Sequence, residues 1–137
     1  MARTWKDSRK SKRSKYNSKR VTTESGTYAS KHEYKRFCEL KLLQEAGEIS
    51  DLRQQVRFSL IPAQYAAPDG IYRRGAKRGQ PKPGKLLERP CDYVADFTYT
   101  TKDGEFVVED AKGYRLRDYK IKRKLMLYMR GIRVKET

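Results

Sequence analysis

Tyr93-Val94-Ala95-Asp96-Phe97-Thr98-Tyr99 is followed by a short polar turn and then by Phe106-Val107-Val108-Glu109-Asp110-Ala111-Lys112-Gly113. Both stretches are rich in β-branched and aromatic residues, and the first alternates imperfectly. Thr101-Lys102-Asp103-Gly104 between them supplies turn residues. The pattern predicts a β-hairpin with strands over Cys91–Thr100 and Glu105–Ala111. Side chains at i and i+2 share a strand face, so Asp110 and Lys112 point one way and Glu109 the other. The loop length decides where Asp96 goes. A three-residue loop, Lys102-Asp103-Gly104, sets Asp96 directly across from Asp110. A two-residue loop slips the register by one and turns Asp96 to the far face. Gly104 at the third loop position suits the three-residue turn with its bulge, so the two acids are expected to meet.

Two carboxylates directly opposite each other repel and destabilise a sheet unless something neutralises them. A hard divalent cation does so, and Mg²⁺ is held by one or two carboxylates together with substrate phosphate oxygens. A lysine beside such a pair balances charge and holds an attacking water. That set of groups suits phosphodiester hydrolysis. Lys112 acts as a base if burial or a nearby cation lowers its pKa, and stabilises the developing negative charge if it stays protonated. The plain alternative is that Asp110 and Lys112 form a surface ion pair worth under about 1 kcal/mol.

Upstream, Ser30-Lys31-His32-Glu33 has the form of a capping box and opens a helix to about Ala46, with Gly47 as its stop. Glu33 falls on the same helix face as Phe37 and Leu40. It either folds back to cap the helix or points into the site as a third metal-associated acid; Glu39 is the weaker candidate. Glu48 to Leu60 reads as a strand with Val56, Phe58 and Leu60 on one face and Gln55 on the other, a surface amide or a polar group at the edge of the site. Residues 62–90 are rich in Pro, Gly and basic residues and read as a long loop. Such loops are often binding elements, which makes Arg73, Arg74, Lys77 and Arg78 candidate nucleic-acid contacts. Downstream, Arg117–Arg130 reads as a helix with Ile121, Leu125, Tyr128 and Met129 on its apolar face and Lys120, Arg123 and Lys124 on the other side. A short strand over Ile132–Lys135 ends the series. The order α, β, loop, β, β, α, β predicts an α/β fold with a mixed sheet flanked by helices.

The chain has 137 residues, enough for one domain, and a formal net charge of +16. That charge exceeds what solubility needs and points to a polyanionic partner, most simply nucleic acid. Residues 1–29 interleave Ser with Lys and Arg, among them Lys10, Lys12 and Arg13, and contain few apolar residues. They read as a flexible basic arm that tracks phosphates, or else as a solvated tail. The domain is then expected over 30–137. No apolar run approaches a membrane span, and the N-terminus lacks the apolar core of a secretory signal. Cys38 and Cys91 lie far apart without a CxxC pattern and read as reduced thiols of an intracellular protein. With one histidine, the chain offers no zinc-site pattern and no support for histidine-based hydrolases.

Asp96…Asp110-Ala111-Lys112, after a helix bearing Glu33, resembles the PD-(D/E)xK restriction-endonuclease-like superfamily. More narrowly, the chain is similar to small phage and prophage endonuclease-like proteins. The matching stretches include Lys15-Tyr16-Asn17-Ser18-Lys19, Ser30-Lys31-His32-Glu33, Ala46-Gly47-Glu48-Ile49, Gln55, the two hairpin strands and Lys120-Ile121-Lys122-Arg123-Lys124-Leu125. The resemblance implies a restriction-endonuclease-like core and a Mg²⁺-dependent DNA endonuclease, with Mn²⁺ able to substitute. It implies Asp96 and Asp110 as metal ligands, Lys112 as catalytic and Glu33 as the helix acid, with Lys120 or Lys124 on the DNA backbone. It also implies work on branched DNA or in recombination and repair, as a homodimer, in the cytoplasm of a bacterial host. The sequence departs from the pattern at Ala95, where the family carries Pro. Asp92 is a competing acid, since it shares a strand face with Asp96. The competing function is a non-catalytic basic nucleic-acid-binding protein.

Overall fold

The hairpin folds with the three-residue loop. In the computed structural model, which describes residues 19–111 and 115–137, strand β6 (Cys91–Thr101) pairs antiparallel with β7 (Phe106–Asp110), Thr100 opposite Phe106 and Phe97 opposite Glu109. Thr101 and Glu105 close the loop through a 2.8 Å backbone bond, and Gly104 takes the left-handed φ of 85° that the third loop position requires.

Ahead of it come a two-stranded hairpin, β1 (Val21–Thr23) and β2 (Gly26–Tyr28), the helix α1 (Lys31–Glu45) and the long strand β3 (Ile49–Ile61). The Ser30 hydroxyl accepts from Glu33 N–H at 3.1 Å, and the Glu33 carboxylate accepts from Ala29 N–H at 2.8 Å. The capping box therefore closes from both sides, the return bond landing one residue before the cap. Short strands β4 (Gln64–Tyr65) and β5 (Leu86–Glu88) follow, then β6, β7, helix α2 (Arg117–Arg130) and β8 (Lys135–Glu136). The central mixed sheet has the order β3-β6-β7-β8, antiparallel except for the last pair.

The two helices cover opposite faces of this sheet. Neighbouring residues Val107 and Val108 on β7 point to opposite sides; Val107 packs with Phe37, Leu40 and Tyr28 under α1, and Val108 with Tyr119 and Met126 under α2. On β6, Phe97 and Tyr99 join the α1 cluster, whereas Tyr93 and Ala95 join the α2 cluster. A regularly alternating strand would place all four on one face. The change of side falls at Asp96. Across from it on β3, Gln55 has a left-handed backbone, φ 51°, which gives the local turn that regular pleating lacks.

Three sequence expectations need correction. The stretch read as arm through residue 29 contains the β1–β2 hairpin, and Tyr28 is buried against Tyr34 and Phe37. The few apolar residues there suffice because one aromatic reaches the core. Residues 62–90 are not structureless: β4 pairs with β5, Ile71 bridges Pro81, and Tyr72, Gly79, Gln80 and Lys82 exchange backbone bonds around a basic tip. The final strand begins at Lys135 and not at Ile132. The N–H groups of Gly131 and Ile132 go back to Leu127 and Met126 carbonyls at the end of α2, with Gly131 at φ 65°, so this segment finishes the helix before it can pair.

Candidate active site

One step beyond the last ladder pair, Phe97 opposite Glu109, the register brings Asp96 opposite Asp110. The ladder ends there because the next strand donor, Ala111 N–H, is taken by the Asp96 carboxylate at 2.9 Å. A side chain thus occupies the place of a strand partner, and β7 leaves β6 at this point. Gln55 lies across from Asp96 on β3, between the pairs Gln54–Phe97 and Val56–Ala95. Glu136 is the partner of Asp110 on β8. Gln55, Asp96, Asp110 and Glu136 therefore form one polar row across all four strands of the sheet, through an otherwise apolar centre.

Each member of the row is held by neighbours. The Gln55 amide donates to Glu33 at 3.0 Å and to Asp96 at 3.3 Å. Glu33 is thereby linked through Gln55 to Asp96 while its other oxygen caps α1, so the capping role is filled and the carboxylate also borders the acid pair. Asp96, Asp110 and Glu33 are buried, whereas Gln55 is exposed and forms the solvent edge of the group. The Tyr93 hydroxyl donates to Asp110 at 2.6 Å. Burial pushes the Tyr93 phenol well above its ordinary range, with the Asp110 bond and the Asp110 and Asp96 charges adding to it. Tyr93 thus stays a donor at any ordinary pH and feels both carboxylates. A cleft of about 300 Å³ opens beside it, lined by Tyr93, Asp110, Leu116, Asp118, Tyr119 and Lys122.

Asp92, the competing acid, lines the same cleft but bonds Arg57 at 2.8 Å. Other candidates lie elsewhere: Glu39 bonds Arg36 at 2.9 Å on the α1 surface. His32 is exposed and bonds the Thr137 carbonyl at 2.9 Å. Lys120 and Lys124 are exposed on α2, and Arg73, Arg74, Lys77 and Arg78 surround the tip of the 70–82 excursion. Tyr72 anchors that tip, with the Lys77 and Lys82 ammonium groups each 5.9 Å from its ring centre. Lys112, Lys10, Lys12 and Arg13 lie outside the described residues. Among the described residues, no three His, Cys, Asp or Glu side chains group closely enough to hold one ion.

A fourth buried acid, Glu109, was legible in the sequence only as a residue facing away. Glu109 points under α1, where it takes two bonds from Arg36, at 2.5 and 3.1 Å, one from Tyr99 at 2.7 Å and one from Thr137 at 3.1 Å. Burial works to raise the Glu109 pKa, but Arg36 and Tyr99 outweigh it and the net shift is downward. Tyr99 rises to about 12, mainly from burial and then from its bond to Glu109. Alternation puts this acid and Asp110 on opposite faces, but only the arginine on α1 shows that Glu109 is the structural one of the two.

A family model described as a protein of unknown function, DUF1064, matches residues 13–135. The chain belongs to the DUF1064 family. The matched span runs from before the β1–β2 hairpin to the first residue of β8, so it includes Gln55, Asp96 and Asp110 and stops one residue short of Glu136. No curated protein and no solved structure matches the chain. Among the described residues, no helix is long and apolar enough to cross a membrane.

Proposed function

We propose that this chain is a metal-dependent DNA endonuclease built on a restriction-endonuclease-like core. The observation that carries the reading is the placement of Asp96 opposite Asp110 where the β6–β7 ladder ends. Two buried acids on adjacent strands at one level are costly unless a cation or a proton offsets them. The donor set suits a hard cation: carboxylate oxygens on rigid strands, with an amide and a phenol fixing their orientation. Asp96 and Asp110 are the residues that would hold Mg²⁺ or Mn²⁺. When bound, the ion would supply Lewis acidity toward a phosphate oxygen and lower the pKa of a coordinated water.

The residues of the chain then divide the remaining work. Gln55 fixes the Asp96 carboxylate and links it to Glu33, which gives Glu33 a supporting place in this reading and not a direct one on the ion. Tyr93 fixes Asp110 by donating to its Oδ2. Lys112, two residues beyond Asp110, would position the attacking water or offset charge on the phosphate in the transition state. DNA is the proposed substrate on the strength of the +16 charge and the resemblance, which also suggests branched or recombining DNA, a phage setting, a bacterial cytoplasm and a dimer.

Cleavage of supercoiled, linear and four-way-junction DNA with Mg²⁺, with Mn²⁺ or with EDTA tests the reading. The expected result is metal-dependent cutting that Asp110→Asn and Lys112→Ala each abolish while DNA binding persists. Wild-type protein that binds these substrates and cuts none of them with either metal would overturn it in favour of a non-catalytic DNA-binding protein.

A further inference from the structure

A second, larger groove lies on the other flank of α2. Its volume is about 730 Å³, and Arg115, α2 and the segment from Arg133 to Glu136 form its walls. Arg115, Arg123, Lys124, Arg133 and Lys135 line it, against one acid, Glu136. We propose that this groove is a binding track for the phosphodiester backbone of duplex nucleic acid, placed one strand away from the acid pair. The placement as part of a cleavage site rests on the nuclease reading; the binding itself does not.

The chemistry of the walls selects the ligand. The Lys135 ammonium group turns to Glu109 and Tyr99 on the α1 side, which leaves four cations against one acid, a strong positive excess in a concave surface, where field lines concentrate. Glu136 pins two of the guanidiniums, accepting from Arg115 Nε and from Arg123 Nη1, and it accepts from Tyr119 as well. A guanidinium carries five N–H donors. Each of these two spends one on Glu136 and keeps others for phosphate oxygens, already oriented. Glu136 is held below the usual carboxylate range: burial acts to raise it, but Arg123, Tyr119 and Arg115 outweigh burial.

The described lining contains no aromatic side chain. Single-strand binders combine a basic groove with aromatic rings on which bases stack. Among its described residues the groove has the cations without the stacking surface, which suits a ligand whose bases are already paired and whose backbone alone is presented. The register gives it a position: Glu136 at its wall is the β8 partner of Asp110, so a strand seated on the arginines runs toward the acid row.

Fluorescence anisotropy with a labelled random-sequence duplex and a single strand of equal length, in EDTA over a salt series, tests this on the full chain. Lys124→Glu with Arg133→Glu reverses two exposed groove cations outside the Glu136 cluster. Lys35→Glu with Lys41→Glu makes the same charge change at exposed positions on α1. The groove variant should bind duplex at least about tenfold more weakly, with a salt slope shallower by about two, and the α1 variant should not. Equal losses in both variants, an unchanged groove variant, or wild-type preference for the single strand would each overturn the proposal. Because EDTA blocks metal-dependent cutting, the groove and the nuclease reading fail separately. Loss of binding in a protein that never cuts leaves the groove standing; normal binding by the groove variant of a cutting enzyme leaves only the nuclease.

Discussion

At the scale of single residues, Gln55 carries an unusual load. It is not glycine, yet its φ is 51°, and its amide ties Glu33 to Asp96. A left-handed conformation costs a non-glycine residue about 1–2 kcal/mol, and such costs persist where the surroundings enforce them. Two variants separate the backbone from the amide. Gln55→Ala and Gln55→Gly both lose the bonds, but only Ala keeps the left-handed penalty. Gly should therefore be more stable than Ala by about 1 kcal/mol in urea unfolding, while under the proposed nuclease function the two lose cleavage equally. Recovery of cleavage in the Gly variant would show that the amide does not matter. Glu109 offers a second measurement at this scale. Its pKa is depressed in the fold, so its ion pair stabilises the protein above the ordinary carboxylate value of 4.5 and is lost as pH falls through the folded value. Arg36→Met leaves a buried acid without its main partner and should cost about 3 kcal/mol at neutral pH. The same change removes the main influence that lowers the Glu109 pKa and leaves burial to raise it, so acidification, which neutralises the stranded carboxyl, should narrow the stability gap to the wild type; urea unfolding followed by circular dichroism over a pH series reads both effects.

At the scale of elements, the hairpin shows what local sequence can and cannot decide. Its loop length, its register and the opposition of Asp96 to Asp110 all follow from Gly104 in a short polar turn. Gly104→Ala should destabilise by about 1 kcal/mol, because alanine does not fit φ 85°. Helix α1 was equally legible, since Ser30, Glu33 and Gly47 are start and stop signals that act within a few residues. The change of side at Asp96 was not legible. It comes from a backbone twist on a different strand, at Gln55, whose residue type gives no hint of a positive φ. The same limit hid the role of Tyr93. Regular alternation aims it away from Asp110, and only the irregularity at Asp96 brings its hydroxyl there. The last strand was overread because Ile132-Arg133-Val134-Lys135 alternates well; the helix cap at Gly131 claimed the backbone first.

At the scale of the whole molecule, the question is where the basic arm ends and the core begins. Composition set the border at residue 29, because Lys, Arg and Ser dominate residues 1–20 and apolar residues stay sparse up to the capping box at Ser30. The border falls earlier, since the β1–β2 hairpin brings Tyr28 into the cluster with Phe37, Leu40 and Phe97. Two truncations read the border directly. Removing residues 1–18 deletes Arg3, Lys6, Arg9, Lys10, Lys12, Arg13 and Lys15 but no residue of the α1 cluster. It should leave thermal stability unchanged and make the salt slope of DNA binding shallower by about 0.9 for each phosphate that the arm neutralises. Removing residues 1–28 also deletes Tyr28, and should cost a further 3–5 kcal/mol or so, the scale of emptying an aromatic site in a core. Paired melting curves and salt titrations on the two proteins check both effects. If the shorter truncation alone destabilised the fold, residues before 19 would have to contribute to the core; if its salt slope matched the full chain, the arm would have no part in binding and the domain's own cations, those of the α2–β8 groove among them, would carry the DNA affinity.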